Sequence, residues 1–212
     1  MLTSASISEP RSLMTEQPRQ FKLSFTAIAL GLREASEVLS LWRLTSDWDE
    51  AAKLAIEENS FQKGSSASTR RIFRELRQRL EFLDPHTLEQ FEQVSTDEQK
   101  AILLIAACKC YPFLFEFIQS TLADKLAVFD YAVSAEDFDL YWNRTEIDHP
   151  ELEDIADSTR KKIRQVTFRL LTEAGLFSST RQPQMTPIHI SPAIEAVLLR
   201  EGAIYRQAFL IT

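Results

Sequence analysis

The sequence predicts an all-α globular fold that contains two helix-turn-helix-like units and leaves room for a small β-hairpin wing near 176–190. Three observations predict it. Gly31, Gly64, Gly175 and Gly202 are the only glycines in 212 residues, too few for the tight turns of a sandwich or barrel. Apolar residues recur at helical spacing through most of the chain. The apolar runs are punctuated by helix-start residues, Ser or Asp placed ahead of Pro or of an acidic residue three positions on.

In chain order, residues 1–20 are rich in Ser, Thr, Gln, Glu and Pro and read as a mobile tail. Ser24 is placed to cap a first helix to about Leu44, with Phe25, Ile28, Leu32, Leu39 and Trp42 as its apolar stripe. Asp47 caps a second, acidic helix, WDEAAKLAIEEN, and SFQKGSSAS is a turn leading to TRRIFRELRQRLEFL. Asp84-Pro85 opens a short helix, since proline suits the first helical turn. Ser95 and Glu98 have capping-box spacing for a helix over 95–110, and Pro112 opens another to about Leu126. Ser134 and Asp137 start a helix through Asn143. A short helical piece over 149–156 leads to Ser158, the cap expected for TRKKIRQVTFRLLTEAG, with Gly175 as its stop. Ser191-Pro192 opens the last helix. The expected organisation is a tail at 1–20, an N-terminal helical subdomain at 21–94 and a C-terminal one at 95–212.

Several function classes are disfavoured at this stage. The four glycines never cluster, so neither a P-loop nor a G-x-G-x-x-G dinucleotide loop exists. Cys108 and Cys110 are the only cysteines and His86, His149 and His189 are scattered, so no disulfide framework or metal-ligand spacing is apparent. No cofactor is expected. The most apolar stretch, 101–118, is interrupted by Lys109, Pro112 and Glu116, far short of the ~20 residues a membrane span needs. It reads as two buried helices meeting near Tyr111-Pro112. A cytoplasmic monomer without membrane contact is the expectation. Carboxylates such as Glu136, Asp137 and Asp139 sit at helix starts or on polar faces, where they favour the helix dipole, so no catalytic residue is assigned and no enzyme is expected.

Charge is the informative feature. Net charge is −7. Yet residues 60–80 carry Lys63, Arg70, Arg71, Arg74, Arg77 and Arg79 against Glu75, and residues 158–181 carry Arg160, Lys161, Lys162, Arg164, Arg169 and Arg181 against Glu173. Each window is therefore +5, and the rest of the chain is −17. At 100° per residue, Ile72, Phe73, Leu76, Leu80 and Leu83 form one face of the first basic helix. Arg70, Arg71, Arg74 and Gln78 lie opposite, flanked by Arg77. In the second, Ile163, Val166, Leu170, Leu171 and Ala174 form the core face; Lys161, Gln165 and Thr172 lie opposite, flanked by Lys162 and Arg169. Phe168 sits off that core face, placed to pack against a neighbouring element.

A cationic face carrying one amide suits a recognition helix. Cations neutralise phosphates and release counterions, arginine pairs with guanine edges and glutamine with adenine. The helix starts after Ser66, Ser68 and Ser158 would offer N–H groups to phosphate. Each basic helix follows a shorter one, 47–58 and 149–156, in helix-turn-helix order, and Arg181 would stand at the tip of the 176–190 wing. The nucleic-acid-facing candidates are thus Lys63, Ser66, Ser68, Arg70, Arg71, Arg74, Arg77, Ser158, Arg160, Lys161, Lys162, Gln165, Arg169 and Arg181. The competing explanation is that these cations pair with the chain's own acidic remainder, or are merely solvated.

Four blocks also carry a family likeness: KLSFTAIALGLREASEVL, SSASTRRIFRELRQRL, DYAVSAEDFDLYW and STRKKIRQVTFRLLTEAGLF. Their order and spacing over about 22–200 resemble the BrxA family of BREX phage-defence systems. One departure is Ala27-Ile28, where small residues such as glycine would be expected after SFT. The resemblance implies an all-α, non-enzymatic accessory protein that binds double-stranded DNA through two helix-turn-helix motifs bordered by positive patches. It implies other BREX proteins as further partners. Carried over, the DNA-facing positions are Arg70, Arg71 and Arg74 in the second block, and Lys161, Lys162, Gln165 and Arg169 in the fourth. The alternative is an adaptor whose basic faces dock an acidic partner within that complex.

Overall fold

The computed structural model describes residues 21–211; the tail expected at 1–20 lies outside them. Ten α-helices are described: α1 Leu32–Thr45, α2 Trp48–Glu57, α3 Ser66–Leu80, α4 Pro85–Gln90, α5 Thr96–Cys110, α6 Pro112–Phe117, α7 Ala123–Ala127, α8 Ala135–Thr145, α9 Asp157–Ala174 and α10 Pro192–Glu201. A π turn, Ile118–Leu122, joins α6 to α7, and 3-10 turns occupy Pro150–Leu152 and Ala203–Phe209. The all-α fold class is as the sequence predicts.

Local signals place most helix starts. Asp47 accepts from the N–H groups of Asp49 and Glu50, Asp84 from His86 and Ser191 from Ile194. Ser95 with Glu98 and Ser134 with Asp137 form complete capping boxes. Gly175 ends α9 at φ 90°, the left-handed conformation glycine tolerates best.

Helix α5 is the centre of the molecule. Nine of its residues, Ala101 to Cys108 and Cys110, are buried, because α1 and α3 pack on it from one direction and α9, α10 and the last 3-10 turn from others. The chain bends by 110° between α5 and α6 at Tyr111-Pro112, so the apolar stretch is two buried helices, as expected. Among the described residues no single helix is long and apolar enough to cross a membrane. Both cysteines are free and buried, and burial alone pushes the Cys108 thiol far up. At the end of α10, buried Glu201 accepts from the Asp84 N–H at 2.9 Å and pairs with Lys109 at 2.6 Å, tying α10 to α4 and α5. Aromatic edges fill the lower core: Phe113 meets Phe138, Tyr141 and Trp142. Phe168 is buried against Phe138 and Phe177, the neighbouring element that its off-face position called for.

Four expectations are corrected. Helix α1 begins at Leu32, not after Ser24, since residues 24–31 bond elsewhere (below). The piece over 149–156 is only a 3-10 turn at Pro150–Leu152, so the α-helix preceding α9 is α8. Ser158 does not cap α9: the helix opens at Asp157 after Ala156, with no side-chain cap. The wing is not a hairpin of strands. Two isolated antiparallel bridges, Phe177↔Met185 and Ala132↔Gln184, hold the loop instead. The Val133 N–H donates to Pro183 at 3.0 Å and the Met185 N–H to Tyr131 at 2.8 Å. Three short segments therefore lie side by side: 131–133 from before α8, 183–185, and 177–178 from after α9.

Candidate nucleic-acid interface

The site is organised by residues 24–31, the strap between the tail and α1. Its backbone cannot form a helical ladder because long-range partners take its polar groups. Ala27 N–H donates to Glu75 of α3 at 2.9 Å, and Leu30 and Gly31 N–H donate to one oxygen of Glu173 of α9 at 2.9 and 3.2 Å. The Ile28 carbonyl accepts from Arg79 at 2.9 Å and the Ala29 carbonyl from the same guanidinium, which also pairs with Glu75. Arg79 and Glu75 are both buried. Burial pushes the Glu75 carboxyl up, opposed by Arg79 and by the Ala27 N–H. Gly31 has φ +71°, and a Cβ there would stand 2.4 Å from Ile28 Cδ1. Phe25 plugs the strap into the core against Tyr111. One segment thus bridges α3 and α9 through a glutamate on each.

That bridge brings the two basic helices onto one surface. Lys63, Ser68 and Arg71 from the α3 side, Thr26 and Ala27 of the strap, and Lys162 of α9 line one concavity of about 530 Å³. Beside it, Lys63, Lys100, Arg169 and the strap backbone border a second, of about 380 Å³. Further along α9, Lys161, Arg164, Gln165 and Arg169 share a third with Arg181 of the 178–183 loop. Arg181 and Gln165 are exposed.

The predicted cations divide by partner. Arg70, Arg71, Arg74, Lys161, Lys162 and Arg181 are exposed, and no ion pair to them exists among the described residues. Their charge faces solvent. The others are engaged. Arg77 pairs with Asp49 at 2.6 Å and Glu81 at 2.8 Å and caps the Trp48 ring. Arg160 lies over Trp142, donates to Asn143 and pairs with Asp139, which Arg164 shares. Lys63 pairs with Glu34 at 3.3 Å. Burial raises the Glu34 carboxyl, but a backbone hydrogen bond and Lys63 outweigh it and hold the group below the usual carboxylate range. Arg169 pairs with Glu173 at 2.7 Å while 69% exposed, so its outer side stays open.

Arg77 and Arg160 are therefore corrected from free contacts to internally paired groups, because acids distant in sequence reach them. Gln78 is corrected from outer face to inner, its amide donating to Cys110 Sγ at 2.9 Å. The α3 cap is Ser65, which accepts from the Ser68 N–H; Ser66 and Ser68 are exposed in the first turn. Ser158 is exposed at the start of α9. Two features escaped sequence reasoning: Lys100 of α5, which pairs with Asp97 at 2.8 Å, and the strap backbone at Thr26-Ala27. No local signal marks either. Among the described residues no group of His, Cys, Asp or Glu is arranged to hold a metal.

Known proteins resemble this chain in sequence and in fold. A family model described as BrxA matches residues 19–202. A BREX protein BrxA of Bacillus cereus (strain H3081.97) is 25% identical over 132 residues, 62% of this chain and 66% of that protein, so the match spans just under two thirds of the relative's length. The BREX protein BrxA of Escherichia coli O9:H4 (strain HS) is 23% identical over 80% of each chain. That of Paramagnetospirillum magneticum (strain ATCC 700264 / AMB-1) is 24% identical over 79% of this chain and 83% of the relative. The crystal structure of an uncharacterized protein from Magnetospirillum magneticum matches with TM-score 0.79 over 91% of this chain and all of that one, at 20% identity, a likeness of fold.

Proposed function

The chain belongs to the BrxA family, a component of BREX defence systems, and from that premise we propose that it is a non-enzymatic, cytoplasmic accessory protein that grips double-stranded DNA by its phosphates. The observation that carries this reading is the single cationic surface. Among the described residues six cations have no carboxylate partner, in a chain whose net charge is −7; Arg71 and Lys162 share one concavity with the strap, Lys161 and Arg181 share another along α9, and Arg70 and Arg74 are exposed beside Arg71 on α3. Were the basic windows only internal ballast for the acidic remainder, these six would be paired as Arg77 and Arg160 are. Cations that retain no protein partner gain most from a polyanion, since each phosphate neutralised releases counterions.

Helix α9 with its loop suits the role best. Segment 131–133, helix α8, helix α9 and segments 177–178 and 183–185 follow one another in the order of a winged helix-turn-helix, with α9 as recognition helix and Arg181 on the wing. The connections 58–65 and 146–156 are longer than a tight three- or four-residue turn, so the motif is the looser, winged kind. Phosphate contacts outnumber the amide of Gln165, so sequence preference is weak. The protein acts as a monomer beside other BREX proteins. The test is a gel-shift titration of the full chain against a random-sequence duplex at two salt concentrations. Affinity falls steeply with salt if the reading holds, and a salt-independent or absent shift overturns it.

A further inference from the structure

A second binding feature lies away from the basic face. Trp42, near the end of α1, stacks on Trp48 of α2 with ring centroids 5.0 Å apart and planes 17° from parallel. The Arg77 guanidinium caps Trp48 at 5.8 Å. The order is arginine, indole, indole, and the stack stops at Trp42. There the molecule has a cleft of about 510 Å³ lined by Trp42, Arg43, Ser46, Glu89, Glu92 and Gln93, within the size range of sites that hold a ligand. Arg43 is already committed: it pairs with Glu92 and donates to the Leu88 and Glu89 carbonyls at 2.7 and 3.2 Å. The Glu89 carboxylate is 69% exposed and meets His86 at 3.3 Å, whereas Glu92 is held by Arg43 and accepts from the Ser40 hydroxyl at 3.3 Å. The C-terminal end of α1, which carries partial negative charge, closes the cleft at Ser46, a left-handed residue at φ 54°.

We infer that this cleft is a docking slot for an arginine side chain of a partner protein, laid on Trp42 and paired with Glu89. An indole wall, the exposed Glu89 carboxylate and a helix C-terminus all favour a cation. Arginine fits better than lysine because its planar guanidinium stacks on an indole while its edge reaches a carboxylate. The chain already builds that arrangement twice, where Arg77 caps Trp48 and pairs with Asp49 and Glu81, and where Arg160 lies over Trp142 and pairs with Asp139. The cleft shares no lining residue with the three concavities of the basic face, so the slot is a separate cavity. A protein partner can occupy the one while the other is engaged.

The test uses the full chain and the blocked tripeptide acetyl-Gly-Arg-Gly-amide, with its citrulline and lysine analogues, followed by the Trp42 indole N–H resonance. The arginine peptide shifts that resonance saturably in the millimolar range. It binds at least about fivefold tighter than citrulline, the factor expected from one exposed cation–π contact and one exposed ion pair. Glu89→Gln weakens it severalfold and leaves duplex binding unchanged. Gln93→Arg, which supplies a guanidinium from the rim, blocks the peptide while the thermal midpoint holds. Equal binding of the citrulline peptide, or shifts not centred on Trp42, overturns the slot. Binding that appears only in an Arg11→Gln, Arg19→Gln double variant means that the chain's own N-terminal segment fills the slot, and overturns the partner assignment.

Discussion

Neutralising Arg70, Arg71 and Arg74 together tests whether unpaired cations, rather than basic residues in general, make the interface. All three are exposed on α3, so the triple glutamine variant should fold with only a small stability change, within about 0.5 kcal/mol per site. If the six unpaired cations each neutralise one phosphate, the slope of log K against log salt is near −5. Raising salt from about 50 to 200 mM then weakens native binding roughly a thousandfold. The triple variant retains three of the six, so its slope falls to about −2.7 and the same salt step costs roughly fortyfold. Arg77→Gln is the control. Arg77 is equally basic and lies on the same helix, but Asp49 and Glu81 already hold it, so its slope should move by less than half a unit. Fluorescence anisotropy of a labelled duplex at five salt concentrations reads all three proteins. A triple variant with the native slope refutes the reasoning, as does an Arg77 variant that shifts as far as one third of the triple.

Three further outcomes are expected. Arg79→Leu strands Glu75 in the interior and costs about 3–5 kcal/mol, a fall of roughly 10 °C in thermal midpoint for a chain of this size; calorimetry of a double variant that also removes Glu75 should show much of the loss restored. Gly31→Ala must hold a left-handed backbone with its Cβ against Ile28, costing about 2 kcal/mol, read as a lower urea midpoint at unchanged slope together with weaker duplex binding. The Glu98 carboxyl is held below its ordinary value of 4.5 by the Ser191 hydroxyl and the Ser95 N–H and hydroxyl. Its contribution is therefore present above that value and lost as pH falls through the depressed one, so Glu98→Gln should lower the urea midpoint at pH 7, and the difference should shrink progressively as pH falls below 4.5.

What was legible in the sequence was local. Caps at Asp47, Asp84, Ser95, Ser134 and Ser191 depend on residues two or three positions away, so spacing alone finds them. The start of α1 was not legible. Phe25, Ile28 and Leu32 keep a helical period, but Glu75, Arg79 and Glu173, 48 to 143 positions distant, take the hydrogen bonds a helix would have used. The same split runs through the site. Which residues are cationic could be read directly. That Arg160 is spent could not, because Asp139 meets it only after folding; for Arg77 the i,i+4 partner Glu81 was within reach of helical spacing, but Asp49 was not. Ser158 has the composition of a cap, but α9 already begins at Asp157.

The strap has one more consequence. With a glutamate of α3 and a glutamate of α9 each clamped to the same short stretch of main chain, the gap between the two helices is set when the protein folds. It is a fixed gauge, and a duplex bound in the proposed way would have to fit it by adjusting its own curvature. Association should then carry little ordering cost on the protein side, and discrimination among duplexes should follow their stiffness, with readily bent sequences held longer than rigid ones.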